Sequence, residues 1–264
     1  MGKNSISGKV VWIIGASSGI GRATAIAFSN EGASVIVSAR NEGELQQLSS
    51  ELASDHLVLP LDMTDADARL RAWDAARTWK GHVDILVANA GISQRALALE
   101  TTEETLRRVM EVNFFSTVAL TKLVAPSMID RKSGQIVVAT SVTGQVATPL
   151  RSGYAASKHA LHGYFDALRA ELHDTGVGVT LIMPGFVSTN ISRAAVTADG
   201  SPLGRLEDNT ADGISAEECA AGIVKATAAQ KREKLIGGKE IFAVYLKRFA
   251  PGVVARIIPR AVPK

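Results

Sequence analysis

A glycine-rich turn between a predicted strand and a predicted helix constrains the fold of this chain more than any other feature. The run 9–14 is rich in β-branched residues, which is typical of a buried strand. Gly15, Gly19 and Gly21 follow it, and an amphipathic stretch begins at Ile20. Glycines permit a tight turn and close approach of the backbone to a pyrophosphate, which the N-terminus of the helix attracts. The pattern favours nucleotide binding, and the alternative is a plain turn with a helix-capping glycine.

Predicted strands and helices alternate along the chain. Strands are predicted at 9–14, 34–39, 57–61, 84–88, 135–139 and 178–183, with an edge strand at 234–236. Helices are predicted at 20–31, 64–80, 102–130, 155–172 and 216–230. Because no hairpin signal interrupts this alternation and no linker divides the chain, we expect a single domain over 1–264. The predicted fold is Rossmann-type α/β: a doubly wound parallel sheet of about seven strands with helices on both faces.

Turn-forming and polar residues gather where the predicted strands end. In open α/β sheets, ligands bind beyond the carboxyl ends of the strands. The residues that stand at these ends are Gly15, Ala39, Asp62, Asn89, Ser141 and Pro184. Since the ends of parallel strands share one edge of the sheet, we expect these residues to line one ligand cleft.

The end of the second predicted strand indicates which dinucleotide the chain prefers. An acidic residue at this point would bind the 2′-hydroxyl of the adenosine ribose. The sequence instead has Arg40 and Asn41, and an arginine can bind a 2′-phosphate through its planar fork. This favours NADP(H) over NAD(H). The alternative is that Arg40 begins a solvated loop.

The spacing of Ser141, Tyr154 and Lys158 indicates proton chemistry. Tyr154 and Lys158 are four residues apart, so both project from one face of the predicted helix. A neighbouring ammonium favours the phenolate, so we expect Lys158 to lower the pKa of Tyr154 from its usual value near ~10. Such a tyrosine is a usable general acid or base, and a serine hydroxyl opposite could hold a carbonyl or alcohol oxygen. The alternative for so short a pattern is a half-buried tyrosine beside a solvated lysine.

The charge distribution and the single cysteine exclude several classes of protein. The net charge is +3, but residues 231–264 carry nine Lys or Arg and two Glu, so they hold +7 and the remainder −4. A uniformly basic nucleic-acid-binding protein would not show this division. Cys219, the one cysteine, allows no internal disulfide and no metal site, which suits a reducing, cytoplasmic location. The uncharged runs 133–150 and 175–192 contain too much Gly, Ser, Thr and Pro for a membrane span.

Two segments each have two interpretations. The segment 186–215 shows no clean periodicity, so it is either a substrate loop over the site or a plain surface loop. The C-terminal extension, 239–264, mixes apolar and basic residues, and Pro251 and Pro259 prevent a single long helix. Its apolar side is expected to pack on the body or on a second subunit. The alternative is peripheral contact with an anionic membrane surface.

Together these motifs resemble those of the short-chain dehydrogenase/reductase family in its single-domain form. The similarity covers about residues 8–238 and joins the glycine turn with Asn89-Ala90-Gly91, Asn113, Ser141, Tyr154, Lys158 and Pro184-Gly185. Ile14 stands where the family usually has threonine. The segments 151–172, 196–201 and 243–252 resemble one branch of the family, whose substrates are poorly defined. Animal members of that branch carry an N-terminal membrane anchor, which we do not expect in this chain.

The resemblance implies a role for each matching residue. Tyr154 would be the general acid in reduction and the base in oxidation, while Lys158 would bind the nicotinamide ribose. Ser141 would hold the substrate oxygen. Asn113, awkward in the middle of a predicted helix, would anchor a water that joins Lys158 to solvent. Thr189 would touch the carboxamide. The residues expected at the cofactor are Gly15, Ser17, Ser18, Gly19, Ile20, Gly21, Arg40, Asn41, Asp62, Met63, Asn89, Ala90, Gly91, Tyr154, Lys158, Pro184, Gly185, Val187 and Thr189.

We therefore predict an NADP(H)-dependent carbonyl reductase or alcohol dehydrogenase without a metal, with NAD(H) the less favoured cofactor. Leu150 and Phe186 favour a hydrophobic small molecule as substrate. The resemblance also implies a homodimer or homotetramer, formed through the helices that begin near Thr102 and Ser152.

Three alternatives remain open for the function. The first is a cofactor-binding sensor or scaffold that catalyses nothing, which would not need the complete set of catalytic residues. The second is a membrane-surface reductase of a lipid-like carbonyl. The third is a sugar-nucleotide epimerase, which would normally need a larger substrate domain than the roughly eighty residues that follow the sixth strand.

Overall fold

A seven-stranded, all-parallel sheet forms the centre of the fold. The computed structural model describes residues 5–205 and 212–261. Its strand order is β3-β2-β1-β4-β5-β6-β7. Successive strands are added on one side of β1 as far as β3 and on its other side from β4 onwards. In such sheets ligands bind at this switch point, between β1 and β4. The predicted doubly wound α/β fold is confirmed. The strands are β1 (Val10–Ile14), β2 (Ser34–Ser38), β3 (His56–Val58), β4 (Ile85–Ala88), β5 (Gly134–Ala139), β6 (Val177–Pro184) and β7 (Glu233–Ile236).

Helices cover both faces of the sheet. Between the strands and after them, the described residues form α1 (Gly19–Asn30), α2 (Glu42–Ser49), α3 (Ala66–Lys80), α4 (Glu103–Met110), α5 (Ser116–Asp130), α6 (Ser152–Glu171), α7 (Ala216–Ala228), α8 (Phe242–Phe249) and α9 (Pro251–Ile257). Short 3₁₀ turns occupy Val142–Gly144, Lys239–Ile241 and Ile258–Arg260. Helices α3, α5 and α6 contribute to one core, and helices α1, α2 and α7 contribute to the other.

The two cores follow from the alternation of side chains along the strands. In β1, Trp12 belongs to the same core as Phe165 of α6, whereas Ile13 belongs to the opposite core with Phe28 of α1. Each of these side chains is fully buried, and burial stabilises the fold by roughly 1.5–3 kcal/mol per large apolar side chain. Cys219 packs in the core of α1 and α7, where burial raises the pKa of its thiol to about 12.

The third strand is shorter than predicted. It spans His56–Val58 rather than 57–61, because Pro60 has no backbone N–H to continue the ladder. The chain nevertheless stays beside β2, since Leu61 donates its N–H to the carbonyl oxygen of Ala39 at 2.9 Å. This course carries the backbone on to Asp62 at the edge of the sheet.

Helix α2 was not predicted from the sequence. Asn41 begins it as an N-cap, and its side-chain oxygen accepts the N–H of Glu44 at 3.2 Å. Glu42 and Glu44 in the first turn favour the positive end of the helix dipole. Arg40 and Asn41 are exposed, but the alternative of a solvated loop is limited to these two residues, because α2 begins at Glu42.

A π turn interrupts the helix predicted over 102–130. Residues Glu111–Phe115 separate α4 from α5, and Asn113 lies in this turn. The combined stretch Glu103–Asp130 is the one described helix that is long and apolar enough to cross a membrane by those two measures alone. Its most apolar window is 44% buried, and α5 contributes Leu120 and Val124 to the core, so it also fits a core helix.

The C-terminal extension forms two short helices separated by Ala250. Pro251 begins α9, and a 3₁₀ turn surrounds Pro259, so the predicted interruption by prolines is confirmed. Val254 of α9 is buried, as expected if the extension packs on the body. The apolar side of α8 does not pack on the body, since Phe242 is 65% exposed and Phe249 is 81% exposed, and its packing on a second subunit stays a prediction.

The described parts of the segment 186–215 are irregular, as the sequence predicts. Isolated β-bridges join Val187 with Ile214 and Gln94 with Val196. The second bridge ties the segment to the loop that follows β4. The segment is therefore held against the carboxyl edge of the sheet.

Candidate active site

Two adjoining cavities form a cleft along the carboxyl edge of the sheet. The larger has a volume of about 390 Å³ and the smaller about 100 Å³. Residues common to both linings are Ile20, Asn89, Gly91, Thr189 and Ile191. Of the predicted cofactor residues, the larger cavity is also lined by Gly15, Ser17, Ser18, Gly19, Arg40, Asn41, Asp62, Met63 and Ala90. The smaller is also lined by Ser141, Tyr154, Lys158, Pro184, Gly185 and Val187. Gly21 and Asn113 line neither cavity.

The backbone of the glycine turn packs closely against Ala90, which follows β4, and this leaves room for a ligand beside the turn. Gly15 has a φ of +79°, and a Cβ there would lie 2.8 Å from the Cα of Ala90. A Cβ on Gly21 would overlap the carbonyl oxygen of Gly15. Ser18 precedes α1 in an extended conformation, without a side-chain cap on the helix. The first N–H groups of α1 and its positive dipole end are thus suited to a pyrophosphate at the larger cavity.

Charged groups line the part of the larger cavity that is not shared with the smaller one. Arg40 is exposed and lines it together with Asp62. Hydrogen bonds from the backbone and hydroxyl of Thr64, at 2.8 and 2.7 Å, hold the pKa of Asp62 below its ordinary value, and the charge of Arg40 contributes. Asn41 also lines the cavity, but its side-chain oxygen is engaged in the cap of α2.

Asn113 holds the loop that follows β4. Its amide donates to the carbonyl oxygen of Ile92 at 2.9 Å and to the hydroxyl of Ser157 at 2.9 Å. Its side-chain oxygen accepts the N–H of Ile92 at 2.8 Å. A Cβ on Gly91 would lie 3.2 Å from this oxygen and 3.5 Å from the ammonium of Lys158. Asn113 is therefore close to Lys158 but fully buried, and the water implied between them stays a prediction.

Ser141 and Tyr154 meet in the smaller cavity. The hydroxyl of Ser141 donates to the carbonyl oxygen of Pro184 at 3.5 Å and accepts the N–H of Thr143 at 3.1 Å, and it is near enough to the phenol of Tyr154 to lower its pKa. Tyr154 is 8% exposed. The ammonium of Lys158 lies 5.7 Å from the centre of the Tyr154 ring and donates to the carbonyl oxygen of Ala139 at 2.8 Å.

Burial is the main influence on the pKa values of Tyr154 and Lys158, the two α6 side chains in this cavity. It raises the pKa of Tyr154, against the opposing effects of the nearby Ser141 hydroxyl and of the charges of Arg151 and Arg95. It lowers the pKa of Lys158 to about 8. The prediction that Lys158 lowers the pKa of Tyr154 is therefore wrong for this structure. Loss of hydration outweighs the attraction of nearby cations, and Lys158 is itself poorly hydrated.

Gln94 completes the N-terminus of the helix that carries Tyr154. Its side-chain oxygen accepts the N–H of Gly153 at 2.6 Å and that of Tyr154 at 3.3 Å. The residue that precedes α6, Arg151, provides no side-chain cap of its own. Sequence analysis missed this contact because Gln94 lies far from α6 in the chain and follows no local capping pattern.

Arg95 and Arg151 are two further lining residues that sequence analysis missed. Both line the smaller cavity beside Tyr154, and each is only 8% exposed. Arginines are mostly exposed in proteins, so the sequence gives no reason to expect them inside a site. Their proximity to Tyr154 brings two permanent positive charges to the proposed reaction centre.

Comparison with known proteins identifies the family to which this chain belongs. Residues 9–200 match the family model described as short chain dehydrogenase. The chain belongs to the short-chain dehydrogenase family. This short-chain dehydrogenase is thus an oxidoreductase of a family that binds nicotinamide cofactors.

Curated relatives of this short-chain dehydrogenase share one type of name. Dehydrogenase/reductase SDR family member 7B of Mus musculus is 42% identical, over 94% of this chain and 80% of the relative. The member 7B protein of Danio rerio is 39% identical, over 96% and 85%. The family protein 7-like of Drosophila melanogaster is 35% identical, over 99% and 83%. The resemblance to the member 7B type is confirmed.

Solved structures share the fold. A short-chain dehydrogenase from Streptomyces avermitilis is 28% identical with a TM-score of 0.78, over 95% of this chain and 96% of that one. One from Burkholderia phymatum, in complex with NAD, is 24% identical with a TM-score of 0.82, over 94% and 96%. An alcohol dehydrogenase from Thermococcus sibiricus, complexed with 5-hydroxy-NADP, is 24% identical with a TM-score of 0.76, over 88% and 97%.

Proposed function

We propose that this short-chain dehydrogenase interconverts a ketone or aldehyde with the corresponding alcohol, using NADP(H) and Tyr154 as the general acid or base. The observation that carries the proposal is that Ser141, Tyr154 and Lys158 line one cavity, which adjoins the larger cavity of the glycine turn. When bound, the nicotinamide would supply the hydride in reduction and accept it in oxidation.

Tyr154 and Ser141 would handle the oxygen of the substrate. In reduction, the hydroxyl of Ser141 holds the carbonyl oxygen, and the phenol of Tyr154 donates its proton to that oxygen. The raised pKa keeps Tyr154 protonated at neutral pH, which is the form that reduction requires. In oxidation the phenolate takes the alcohol proton, so that direction is favoured at higher pH. Arg95 and Arg151 add positive charge, which favours the phenolate.

Lys158 and Arg40 would hold the two ends of the cofactor. Lys158 lines the smaller cavity with its ammonium fixed by Ala139, where it could donate to ribose hydroxyls. Arg40 lines the larger cavity at the end of β2, and its guanidinium suits a 2′-phosphate. The glycine turn and the uncapped start of α1 would receive the pyrophosphate between them.

Nucleotide titration followed by a substrate panel tests this function. The purified protein is titrated with NADPH and NADH by nucleotide fluorescence, and ketones and aldehydes are then assayed with the preferred nucleotide. Tighter binding of NADPH with turnover of a carbonyl compound supports the proposal. Tight binding without turnover across a broad panel would support the sensor or scaffold instead, and failure to bind either nucleotide would contradict the cofactor site.

We also propose that the C-terminal extension places the enzyme on an anionic membrane surface, where a lipid-like carbonyl could reach the site. On α8, Phe242, Tyr245, Leu246 and Phe249 share one helix face by their spacing, and all four are exposed. Basic residues accompany them, namely Lys247, Arg248, Arg256 and Arg260. Basic and apolar residues together suit an interfacial helix on anionic lipid.

The extension is attached at the smaller cavity. Phe186, which lines this cavity, donates its N–H to the carboxylate of Glu240 at 2.9 Å. Lys247 donates to the carbonyl oxygen of Gln145 at 2.5 Å, close to the turn that follows Ser141. A membrane bound by α8 would therefore lie near the substrate side of the protein.

A further inference from the structure

The carboxylate of Glu240 lies between the ends of two strands, β6 and β7. One of its oxygens accepts the N–H of Phe186, just beyond β6, at 2.9 Å and the N–H of Gly238, just beyond β7, at 3.0 Å. Glu240 belongs to the 3₁₀ turn Lys239–Ile241 and is half-buried. A side chain of the C-terminal extension is therefore bonded directly to the backbone at the carboxyl edge of the sheet.

Two glycines make room for this carboxylate. The three atoms nearest to a Cβ on Gly185 would all belong to Glu240, and the closest, a carboxylate oxygen, would overlap it. A Cβ on Gly237 would overlap the same oxygen. Because a side chain at either position would displace the carboxylate, both glycines have a steric reason to be there. The backbone on both sides thus defines where the carboxylate lies.

The segment that Glu240 holds forms a wall of the smaller cavity. Gly185 and Phe186 line this cavity together with Ser141 and Tyr154. The hydroxyl of Ser141 donates to the carbonyl oxygen of Pro184 at 3.5 Å, so the serine proposed to hold the substrate oxygen contacts the start of this wall. A shift of the wall would therefore reach the reacting groups.

Backbone hydrogen bonds hold the wall on either side of the N–H of Phe186. The N–H of Gly185 donates to the carbonyl oxygen of Ile236 at 2.8 Å, and the carbonyl oxygen of Phe186 accepts the N–H of Ile214 at 3.1 Å. The N–H of Phe186 lies between these two bonds, and its acceptor is the carboxylate of Glu240. A half-buried N–H without an acceptor favours rotation of its peptide towards water. Loss of the carboxylate would therefore loosen the wall at this peptide.

We propose that Glu240 is a positioning residue for the reaction, because its carboxylate fixes Gly185 and Phe186 as a wall of the cavity that contains Ser141 and Tyr154. The inference rests on the proposed function, since it takes hydride transfer to occur in this cavity. Glu240 is not among the described residues that line the cavity, so it acts through the backbone of Phe186. Displacement of reacting groups by an ångström can lower a rate by about 10²-fold. The C-terminal extension thereby supports the active site whether or not α8 contacts a membrane.

The test compares Glu240→Ala, which removes the acceptor, with Glu240→Gln, which keeps an oxygen without the charge. Each full-length variant is titrated with NADPH by fluorescence. This titration gives the dissociation constant, the number of binding sites and the increase in nicotinamide emission on binding, which depends on how firmly the ring is held. The values of kcat and KM are measured with 2-octanone and with benzaldehyde, and kcat is expressed per NADPH-binding site so that unfolded protein does not count. Hydrogen exchange of residues 185–188 reports on the wall without cofactor or substrate.

We expect Glu240→Ala to lower kcat about tenfold or more, while the NADPH dissociation constant stays within about threefold, because the proposed phosphate contacts lie in the larger cavity. Its increase in nicotinamide emission is smaller, and residues 185–188 exchange faster. Glu240→Gln stays within about threefold of the wild type, since an amide oxygen accepts the same hydrogen bonds. Glu233→Ala, which removes an exposed carboxylate from β7, is the control and changes none of these measurements. If Glu240→Ala does not fold, Glu240→Asp withdraws the carboxylate by one methylene group and should show the same losses.

A double variant tests the contact itself. Gly185→Ala adds a Cβ where the carboxylate lies, so it should displace Glu240 and lower kcat about as much as Glu240→Ala does. In Gly185→Ala/Glu240→Ala the carboxylate is gone. We expect its kcat to lie within about threefold of that of Glu240→Ala alone, because changes to residues in contact are not additive. Two fully additive losses would contradict the contact.

The positioning role would be overturned by an unchanged kcat in Glu240→Ala, by an equal loss in Glu233→Ala, or by a loss in Glu240→Gln as large as that in Glu240→Ala. Fewer binding sites with an unchanged kcat per site would show that Glu240 only supports the structure. Turnover by the wild type with an unchanged kcat in Glu240→Ala would leave the proposed function standing. No turnover by the wild type, with smaller emission and faster exchange in Glu240→Ala, would contradict the proposed function and leave the role of Glu240 in fixing the wall.

Discussion

The ammonium of Lys158 donates a 2.8 Å hydrogen bond to the carbonyl oxygen of Ala139, and this bond joins the helix of the proposed catalytic residues to the end of β5. Lys158 is buried, and burial lowers its pKa to about 8. The site therefore contains a cation whose hydration was lost on folding. A neutral side chain at this position would avoid that cost.

Replacing Lys158 by methionine should stabilise the protein while it weakens activity. The fall in pKa from 10.5 to about 8 corresponds to roughly 3 kcal/mol of lost stability. Losing the bond to Ala139 offsets about 1 kcal/mol, so we expect the free energy of unfolding to rise by about 1–2 kcal/mol at pH 7.

The pH dependence of the stability gained by Lys158→Met shows whether burial of the lysine charge causes it. The unfolded chain binds more protons than the folded chain between about pH 8 and 10.5, so wild-type stability rises with pH across this interval. The gain of Lys158→Met should be complete below about pH 8 and vanish above 10.5. Urea unfolding at several pH values measures it. A gain that does not change with pH would contradict burial of the charge as the cause.

Tyr154→Phe should abolish turnover and leave NADPH binding nearly unchanged. The variant removes the hydroxyl of the proposed proton donor but keeps the ring in its buried position. Steady-state kinetics and NADPH fluorescence titration measure the two effects. Tyr164→Phe on the same helix is the control and should keep full activity, since the Tyr164 ring contacts Phe114 outside the cleft. A Tyr154→Phe variant that retains most of its activity would disprove the proposed acid.

Arg40→Asp should shift the cofactor preference towards NADH. The substitution removes the proposed phosphate ligand and adds a carboxylate that repels the phosphate. We expect the ratio of the NADPH to the NADH dissociation constant to change by about tenfold or more. Arg71→Asp makes the same charge change on the exposed surface of α3 and should leave the ratio alone. An unchanged ratio in Arg40→Asp would mean that another residue holds the phosphate.

Two helix glycines, Gly21 and Gly163, allow the effect of steric crowding on stability to be distinguished from the effect of helix propensity. Gly21 in α1 has no room for a Cβ because the carbonyl oxygen of Gly15 fills that position, whereas a Cβ on Gly163 in α6 would meet nothing within 4 Å. Gly163→Ala should stabilise the protein by about 0.5–1 kcal/mol. Gly21→Ala should destabilise it by a few kcal/mol, on the order of other overpacked sites, and weaken NADPH binding. Denaturant unfolding of both variants checks this, and equal effects would contradict it.

The exposed side of α8 predicts binding to anionic vesicles. Sedimentation with phosphatidylserine-containing vesicles should recover the wild type at low salt, less at high salt, and little with phosphatidylcholine alone. Replacing Phe242 and Phe249 together by serine should remove the binding. Leu70→Ser, at an exposed apolar residue of α3, is the control. Equal vesicle binding by the double variant, or dissociation of an oligomer without any vesicle binding, would contradict the membrane proposal.

The sheet could be predicted because buried parallel strands leave a strong local signal. Short apolar runs that end in turn-forming or polar residues, such as Gly15, Asn89, Ser141 and Pro184, indicated six strands and the edge of the cleft. The third strand was misplaced because Pro60 sits inside an apolar run that otherwise continues. Helix α2 leaves only a weak local signal, because its eight residues bury just two apolar side chains, Leu45 and Leu48.

The electrostatics of the cleft could not be predicted in the same way. That Lys158 stands one turn from Tyr154 follows from helix geometry, but the sign of the pKa change depends on how much water each group loses. Arg95 and Arg151 line the cavity through contacts between distant parts of the chain, since the N–H of Arg95 bonds to Val196 and a β-bridge joins Arg151 to Ala96. Local sequence patterns carry no information about such contacts.

The contact between Gln94 and the start of α6 has a consequence for the order of assembly. The first turn of that helix finds its acceptor on a loop that is distant in sequence, so it gains this bond only after β4 and α6 have docked. Tyr154 is one of the two residues held in this way. The proposed proton donor is therefore held by a bond between distant parts of the chain, and the polypeptide cannot place this residue in its working position before those two parts have joined.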